Sequence, residues 1–360
     1  MNRLKVLHII PDIGISNGVM SVILNYMSHM PPDIQFDVAY FVDTVSDRHT
    51  ELNKLGAQVF RIPAPNAKAF LKSADELFAP ADISNYDILH LHLPYLASVY
   101  ATKAKMKGIK KVFVHCHSTW YSLDPHHTLR NRILNIPTHN LADLQIACGD
   151  DAGKFWYKKA FINLPNSIDI DKYQFDQTAR DKVRQQMNLN ESFVVGHVGR
   201  VSPPQKNHTF ILKVFAEVLK RNSNSILLLI GAEPDKDLTE LANRLNIERH
   251  IRFLGQRKDI PQLLSAMDAF LFPSLYEGLP VALIEAQAAG LMCFASSVIT
   301  KEVQVLDNVQ FLSLDMPASE WADHVVQAAN YYNRDVQSQF EKSKWNIRNS
   351  SEILAGYYKK

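Results

Sequence analysis

The sequence predicts an α/β protein with two doubly wound domains, each built on a parallel sheet. Short apolar runs, which are typical of buried strands, alternate with longer amphipathic segments along the whole chain. The chain has 360 residues, which is enough for two domains of ordinary size. Since the alternation restarts after residue 165, we expect domains at 1–165 and 166–344, with ligands at the carboxyl ends of the strands.

The first domain contains a continuous series of strand and helix signals. In chain order these lie at 4–10, 18–30, 36–42, 59–62, 88–93, 95–107, 111–115, 129–141, 144–147 and 151–157. The turn-rich stretch LPNSID at 164–169 follows them. It reads equally well as an ordinary turn or as the hinge between two domains.

The second domain repeats the pattern. Its segments lie at 193–198, 208–220, 226–230, 238–246, 251–254, 260–267, 269–272, 281–289, 292–295 and 321–332. The last segment, 336–358, reads as helix with a break near 346–351. We expect the final helix, at about 345–360, to pack back on the first domain.

Composition excludes several classes of protein. A hydrophobic fraction of 46% argues against disorder, and a net charge of +2 argues against a nucleic-acid partner. The 3 cysteines are odd in number and far apart, which fits a reducing cytosol. The start, MNRLKVLHII, reads as a strand rather than a signal peptide. No apolar run approaches the roughly 20 residues that span a bilayer, so we expect a cytoplasmic protein whose membrane contact is at most peripheral.

One stretch, FLFPSLYEGLPVALIEAQAAG at 270–290, combines a strand, a loop and an apolar helix with two carboxylates. Pro280 suits the first helical turn and Gly290 suits the cap. Glu277 precedes the helix, and Glu285 is the only charge inside it. Glu285 either pairs with a distant cation or amide, or binds ligand hydroxyls beside a helix start that attracts phosphate. A carboxylate that binds a diol, next to a site that binds phosphate, is the arrangement that recognition of a nucleotide requires.

The spacing in EGLPVALIE resembles the E-x7-E motif of retaining glycosyltransferases of family 4, which have the GT-B fold. The resemblance implies two Rossmann-like domains that face a central cleft, with the acceptor on the first domain and the donor on the second. It also implies that Glu285 binds the ribose, while Glu277 and the amides of Gly278 and Leu279 meet the sugar and phosphates. ITKEV at 299–303 and FLSLD at 311–315 resemble bacterial capsular and exopolysaccharide enzymes.

Two further stretches match the family's phosphate-binding loops. GRVSPPQKN at 199–207 resembles its pattern of Gly-Arg, a short spacer, Lys and then glycine or asparagine, in which Arg200 and Lys206 would stabilise the leaving diphosphate without a metal. The other reading is a pair of solvated cations. Asn17 and Gly18 follow the first strand and resemble the family's glycine-rich loop, although a tight turn alone would explain them. The D-x-D pattern of Asp169 and Asp171 lies at the domain boundary, so we interpret it as helix capping rather than metal binding.

Histidines concentrate at two strand ends, at His90 and His92 and at His115 and His117. His117 resembles the histidine that lies near the donor sugar in this family, and a neutral imidazole there suits hydrogen bonding to hydroxyls. Neither pair has an acidic or cysteine neighbour at useful spacing, so we expect no metal and no cofactor.

A basic run of five lysines is either a solvated face or a contact for anionic lipid. It comprises Lys103, Lys105, Lys107, Lys110 and Lys111.

Taken over the whole chain, the family resemblance implies transfer from a UDP-sugar to a glycan or lipid-linked acceptor at the inner face of the plasma membrane, in cell-surface polysaccharide synthesis. Three alternatives stay open: a hydrolysing nucleotide-sugar epimerase, a phosphorylase, and a non-catalytic nucleotide-sugar binding module.

Overall fold

The chain forms two compact units. The computed structural model describes residues 3–15, 17–64, 69, 71–122, 125–201, 205–231, 233–330 and 334–360. Unit 1 comprises Met1–Ser167 together with Ile347–Lys360, and unit 2 comprises Ile168–Asn346. The predicted residues 202–204 of the phosphate loop and the end of the predicted helix 321–332 lie outside the described residues.

Unit 1 is built on a parallel sheet of seven strands. They are β1 (Leu4–Ile10), β2 (Ile34–Tyr40), β3 (Val59–Arg61), β4 (Ile88–Leu91), β5 (Lys111–Cys116), β6 (Leu144–Ala147) and β7 (Ile162–Asn163). Their order is β3-β2-β1-β4-β5-β6-β7, and every neighbouring pair is parallel. The central strands are buried along nearly their whole length, as expected for a sheet covered on both faces.

Helices connect the strands of unit 1. They are Gly18–His29, His49–Lys54, Ala74–Phe78, Ala97–Met106, Pro125–Asn135, Thr138–Leu141, Asp150–Trp156 and, at the end of the chain, Ile347–Lys359. The single predicted helix 129–141 is therefore wrong, because two helices replace it. Pro137 separates them, since it has no amide hydrogen to continue the first.

Unit 2 has a parallel sheet of six strands. They are β8 (Phe193–Val198), β9 (Ser225–Ile230), β10 (Ile251–Phe253), β11 (Ala269–Phe272), β12 (Met292–Ser296) and β13 (Val309–Leu312), in the order β10-β9-β8-β11-β12-β13. The helices are Ile170–Tyr173, Gln177–Gln186, His208–Arg221, Lys236–Arg244, Ile260–Ala266, Val281–Ala288, Ala318–Gln327 and Gln337–Glu341. Helix His208–Arg221 buries Ile211 and Phe215 against Trp321 and the sheet, so the core of this unit is continuous.

Each sheet has one point at which the strand order reverses. In unit 1 it lies between β1 and β4, and in unit 2 between β8 and β11. Loops that leave the carboxyl ends of two such strands diverge to opposite faces of the sheet, which opens a crevice for ligands. The loops after β1, β8 and β11 carry most of the predicted site residues.

The last helix returns to unit 1 after a break that lies earlier than predicted. Helix Gln337–Glu341 ends before Lys342, and Ile347–Lys359 then continues through the predicted break at 346–351. Serines are tolerated inside this helix because they are buried against unit 1. The Ser350 hydroxyl lies 2.6 Å from that of Ser167, which also donates to the Pro165 carbonyl at 3.2 Å.

Among the described residues, no helix is both long enough and apolar enough to cross a lipid bilayer.

Candidate functional site

The two loops at the strand reversal of unit 2 are bonded to each other. The Leu275 amide donates to the Gln205 carbonyl at 2.9 Å. The side chain of Asn207 donates to Pro273 at 3.2 Å, and that of Gln205 donates to the Tyr276 carbonyl at 3.3 Å. The described part of the loop after β8 is therefore held against the loop after β11.

Two backbone features place Lys206 within this loop. A Cβ added to Gly199 would lie 2.7 Å from Nε2 of His197 and 3.1 Å from Cδ of Lys206, so a side chain here would crowd the His197 ring and press on the lysine stem. Asn207 has a φ of +54° and precedes helix His208–Arg221. Since asparagine and glycine tolerate this left-handed conformation, the geometry explains why glycine or asparagine follows the lysine in the pattern.

Lys206 forms a largely buried ion pair with Glu277. Its Nζ lies 2.7 Å from Oε1 of Glu277, and the two side chains are 17% and 7% exposed, respectively. Gln205 donates to the other oxygen of Glu277 at 3.1 Å, and the ammonium lies 4.8 Å from the centre of the Phe272 ring. The sequence predicted separate roles for these two charges, whereas in the structure they form an ion pair with each other. Gln205 and Phe272 are contacts that no pattern in the sequence identified.

Glu285 lies in helix Val281–Ala288, as predicted, and is half-buried. Pro280 precedes this helix as its cap rather than lying in its first turn, and its own side chain makes no capping hydrogen bond. Gly278 and Leu279 are buried immediately before it. Gly290 has a φ of +68°, as its predicted capping role requires. Arg200 follows β8 and is exposed.

Gln287 performs a structural role that sequence reasoning missed. It is fully buried and its amide nitrogen donates to Val303 at 2.8 Å, while its oxygen accepts from the amides of Val305 and Leu306 at 2.9 and 3.2 Å. The helix thus fixes the 303–306 loop through Gln287.

The loop after β1 is organised by Asp12 and Asn17. The Asn17 side chain accepts hydrogen bonds from the amides of Val19 and Met20 at 3.0 and 3.2 Å, and donates to Asp12 at 3.0 Å. Asparagine replaces the family's glycine without strain, because φ is −81° here. A Cβ added to Gly18 would meet nothing within 4 Å among the described residues, so the protein interior does not require glycine at that position.

His117 belongs to a chain of hydrogen-bonded side chains in unit 1. Its Nδ1 lies 2.9 Å from Oδ1 of Asn166, and its Nε2 lies 3.0 Å from Nδ1 of His92. The Nε2 of His92 in turn lies 2.9 Å from Nδ1 of His8, on β1. Both ring nitrogens of His117 are therefore bonded to the protein.

Burial keeps the histidines of this hydrogen-bonded chain neutral. It lowers the pKa of His8 to about 3 and that of His117 to about 4, where the hydrogen bond that Asn166 accepts acts in the opposite direction. The pKa of His92 also lies well below its ordinary value, for the same reason.

The histidines also form two groups with the composition of a metal site. The nitrogens of His8, His90 and His92 lie within 4.8 Å of one another, as do those of His92, His115 and His117. Neutral imidazoles suit transition metals, whereas the sequence predicted no metal here.

The basic run is mostly bonded within unit 1. Lys105 pairs with Asp143 at 3.0 Å and Lys107 with Asp75 at 2.5 Å. Lys103 donates to the carbonyl of Lys72 and Lys111 to that of Tyr358. These contacts favour the structural interpretation of the run.

The predicted helix-capping role of the D-x-D pattern is met in part. Asp169 occupies the cap position of helix Ile170–Tyr173, although its side chain makes no capping hydrogen bond.

The fold matches solved structures over its full length. HepE of Anabaena, in complex with UDP and glucose, aligns with a TM-score of 0.80 and 20% identity, covering 99% of this chain and 100% of that one. The lipopolysaccharide outer core galactosyltransferase WaaB, in its apo form, aligns with a TM-score of 0.69 and 17% identity, covering 99% and 100%. Two Rossmann-like parallel-sheet units of this kind define the GT-B class of glycosyltransferase folds.

The sequence comparisons identify the family. A model described as Glycosyltransferase Family 4 matches residues 16–172, and one described as Glycosyl transferases group 1 matches residues 192–330. EpsF of Bacillus subtilis (strain 168) is 30% identical over 340 residues, which cover 90% of this chain and 88% of EpsF. The chain belongs to glycosyltransferase family 4, and is a nucleotide-sugar-dependent glycosyltransferase of the retaining class.

A second relative has a more specific name. The UDP-Gal:alpha-D-GlcNAc-diphosphoundecaprenol alpha-1,3-galactosyltransferase of Escherichia coli is 25% identical over 314 residues, which cover 82% of this chain and 80% of that protein. CapH of Staphylococcus aureus, named as a capsular polysaccharide biosynthesis glycosyltransferase, is 22% identical over 265 residues and covers 67% and 68%.

Proposed function

We propose that this protein transfers a hexose from a UDP-sugar to a glycan or lipid-linked glycan in cell-surface polysaccharide synthesis. The observation that carries the proposal is the Lys206–Glu277 pair at the strand reversal of unit 2, beside a helix start whose cap residue, Pro280, makes no side-chain capping bond. This combination offers a cation and backbone amides to a diphosphate. The proposal is supported by the UDP in the HepE complex and by the UDP-sugar and lipid-linked acceptor in the name of the Escherichia coli relative.

Each candidate residue then has a separate task in donor binding. Lys206 and exposed Arg200 stabilise the charge that develops on the leaving diphosphate. The amides of Gly278 and Leu279 lie beside the helix start and donate hydrogen bonds to the phosphates, while Glu285 accepts hydrogen bonds from the ribose hydroxyls. The leaving phosphate accepts the proton of the acceptor hydroxyl, so no metal is needed.

The loop after β1 supplies the remaining phosphate contact. Asn17 shapes it by accepting from the amides of Val19 and Met20, and the amide of Gly18, which no Cβ at that position shields, is the group offered to a phosphate. A Gly18→Val variant should weaken binding of UDP without destabilising unit 1, because an added Cβ meets nothing among the described residues. Normal UDP affinity in that variant would remove Gly18 from the donor site.

The two glutamates provide the decisive experiment. Glu285→Gln should weaken binding of UDP and UDP-sugar equally, by about 1.5–3 kcal/mol, which is typical of a hydrogen bond to a charged group. Glu277→Gln should leave UDP affinity nearly intact, since it releases Lys206, and should lower turnover about a hundredfold. Calorimetric titration of UDP and single-turnover rates measure these effects.

The outcomes separate the alternatives. Normal UDP binding with lower stability in Glu285→Gln would mean that this carboxylate is structural. Binding without turnover for any donor and acceptor pair would indicate a binding module, and UDP-sugar consumption without an acceptor would indicate an epimerase.

For contact with an anionic membrane, helix Pro125–Asn135 is a better candidate than the predicted lysine run. Leu129 and Ile133, which lie one turn apart on the helix, and Ile136, which directly follows it, are 66%, 55% and 64% exposed. Arg130 and Arg132 lie on the same helix, and the sequence from 125 to 142 contains no acidic residue. An apolar stripe with basic neighbours fits the boundary between headgroups and acyl chains. We infer peripheral attachment at the cytoplasmic face of the plasma membrane.

Vesicle sedimentation tests this surface. Leu129→Ser with Ile133→Ser should abolish binding to vesicles of anionic phospholipid, whereas Lys105→Gln with Lys107→Gln serves as a matched control and should retain it. If only the lysine pair reduces binding, the originally predicted run is the correct surface.

A further inference from the structure

The three histidines of the unit 1 chain are connected head to tail. Asn166 faces Nδ1 of His117, Nε2 of His117 faces Nδ1 of His92, and Nε2 of His92 faces Nδ1 of His8. Each contact is 2.9 or 3.0 Å long, which is the length of a hydrogen bond rather than of an incidental approach.

This connection ties the three proton positions together. A neutral imidazole carries one N–H and one lone pair, and each link joins the Nδ1 of one ring to the Nε2 of the next. We propose that His8, His92 and His117 share one tautomer, with every proton on Nδ1, and that His92 and His8 are positioning residues that keep Nε2 of His117 as an acceptor.

Both ends of the chain favour Nδ1–H. At one end the carbonyl oxygen of Asn166 accepts from Nδ1 of His117. At the other end Nε2 of His8 is buried and has no partner among the described residues. The shared Nδ1–H form leaves a lone pair at this position, whereas the opposite form would leave a buried N–H, and orphaned buried N–H groups are the rarer and more costly case.

The hydrogen-bonded chain of histidines fixes their tautomer but does not conduct protons. Moving every proton to Nε2 would require Asn166 to accept a proton, which an amide does not do at ordinary pH. His90 stacks on His92 at a centroid distance of 4.5 Å, and His115 lies tilted against His92 at 5.7 Å, so both limit rotation of the His92 ring. His90 is held in turn by Tyr358, whose hydroxyl lies 2.6 Å from Nδ1.

The consequence for catalysis rests on the proposed function. With Nε2 as its lone-pair position, His117 can accept from a substrate hydroxyl but cannot donate to one. His92 already occupies that lone pair, so a substrate hydroxyl must share it or displace His92. Partners that fix the tautomer of a metal-ligating histidine contribute about tenfold to a hundredfold to metal affinity or activity, and we expect an effect on this scale at His117.

Nuclear magnetic resonance of the full-length protein with ¹⁵N-labelled histidine rings tests the tautomers directly. Long-range ¹H–¹⁵N correlations should show Nδ1–H for His8, His92 and His117, assigned with single His→Phe variants. His197 is an internal reference, because its Nδ1 lies 2.9 Å from the Leu271 carbonyl and must carry the proton. A different tautomer at any one of the three would overturn the proposal.

Asn166→Leu is the sharper variant. It removes the acceptor at one end, so each tautomer then leaves one buried N–H unpaired, and His8 should change from one tautomer to a mixture although it lies two rings away. An unchanged His197 signal would show that the fold persists. If His8 keeps a single tautomer in this folded variant, the coupling is absent.

Two further arms separate the remaining explanations. If the purified protein retains one equivalent of a transition metal through dialysis and the imidazole N–H signals are missing, the histidines form a metal site rather than a hydrogen-bonded chain. In a folded His92→Phe variant, turnover should fall about tenfold or more with UDP affinity unchanged. Full turnover in this variant would overturn the positioning role. If the wild-type protein does not bind UDP, that result would contradict the proposed function alone.

Discussion

Replacing Lys206 by methionine should destabilise unit 2 far more than removal of a surface charge. The change keeps most of the apolar stem and removes the cation from a carboxylate that is only 7% exposed. Leaving one member of a buried pair uncompensated costs about 3–5 kcal/mol, whereas an exposed pair contributes about 0–1 kcal/mol. Since Lys206 itself is 17% exposed, we expect a loss of about 3 kcal/mol.

A double-mutant cycle isolates the cause. Lys206→Met combined with Glu277→Gln leaves a neutral amide that Gln205 can still contact, so the combined loss should fall to about 1 kcal/mol, the scale of one hydrogen bond. Lys220→Met is the matched control in the same unit. Its ammonium lies 2.6 Å from Glu217 but is 69% exposed, so its removal should cost less than about 1 kcal/mol.

Hydrogen exchange under increasing urea, followed by mass spectrometry, measures these effects unit by unit. A peptide that covers β11 reports on unit 2, and one that covers β5 in unit 1 is the internal reference. If Lys206→Met costs no more than Lys220→Met, or if Glu277→Gln fails to restore stability, the ion pair is not the buried, coupled element described above.

Three further predictions test other parts of the structure. The pKa values of His8 and His117, about 3 and about 4, lie below the 6.5 of a free histidine. Protons therefore bind the unfolded chain first, and the free energy of unfolding should fall between pH 6.5 and pH 4, by about 2 kcal/mol per histidine at pH 5; equal urea midpoints at pH 8 and pH 5 would contradict this. Asn207→Ala should cost about 1 kcal/mol more than Asn207→Gly in urea unfolding, because both lose the Pro273 contact but only alanine strains a left-handed backbone; the reverse order would rule out that account. Turnover should survive excess EDTA, and loss that Mg²⁺ or Mn²⁺ restores would disprove the assignment of Arg200 and Lys206 to the diphosphate.

The strands and the loop–helix after β11 could be predicted because their signals are local. Apolar runs bounded by turn residues identified β8 and β11 closely, and Gly290 marked the end of the helix between Val281 and Ala288. These features depend on neighbouring residues whose periodicity and turn chemistry are visible in one sequence.

The partners of the site residues could not be predicted, because they depend on strand order. Lys206 and Glu277 are 71 residues apart and meet only because β8 and β11 are adjacent. His8 is 84 residues from His92, and nothing near it in the sequence identifies it as a neighbour of the two histidine pairs. The break before the last helix was misplaced for the same reason, since Ser350 is accommodated by Ser167, 183 residues earlier.

The bond between His90 and Tyr358 joins residues 268 positions apart, and it constrains the order of events on the ribosome. Unit 2 is one uninterrupted segment that can fold as soon as it emerges, and its ends are joined where Ile168 bridges Asn346. Unit 1 must keep part of its interior open during that time, until the helix that carries Tyr358 is made. A nascent chain stalled when Asn346 has left the ribosome and Ile347 has not should therefore present a finished second unit and an incomplete first one, with Phe36, His90 and Phe113 lacking the ring that covers them.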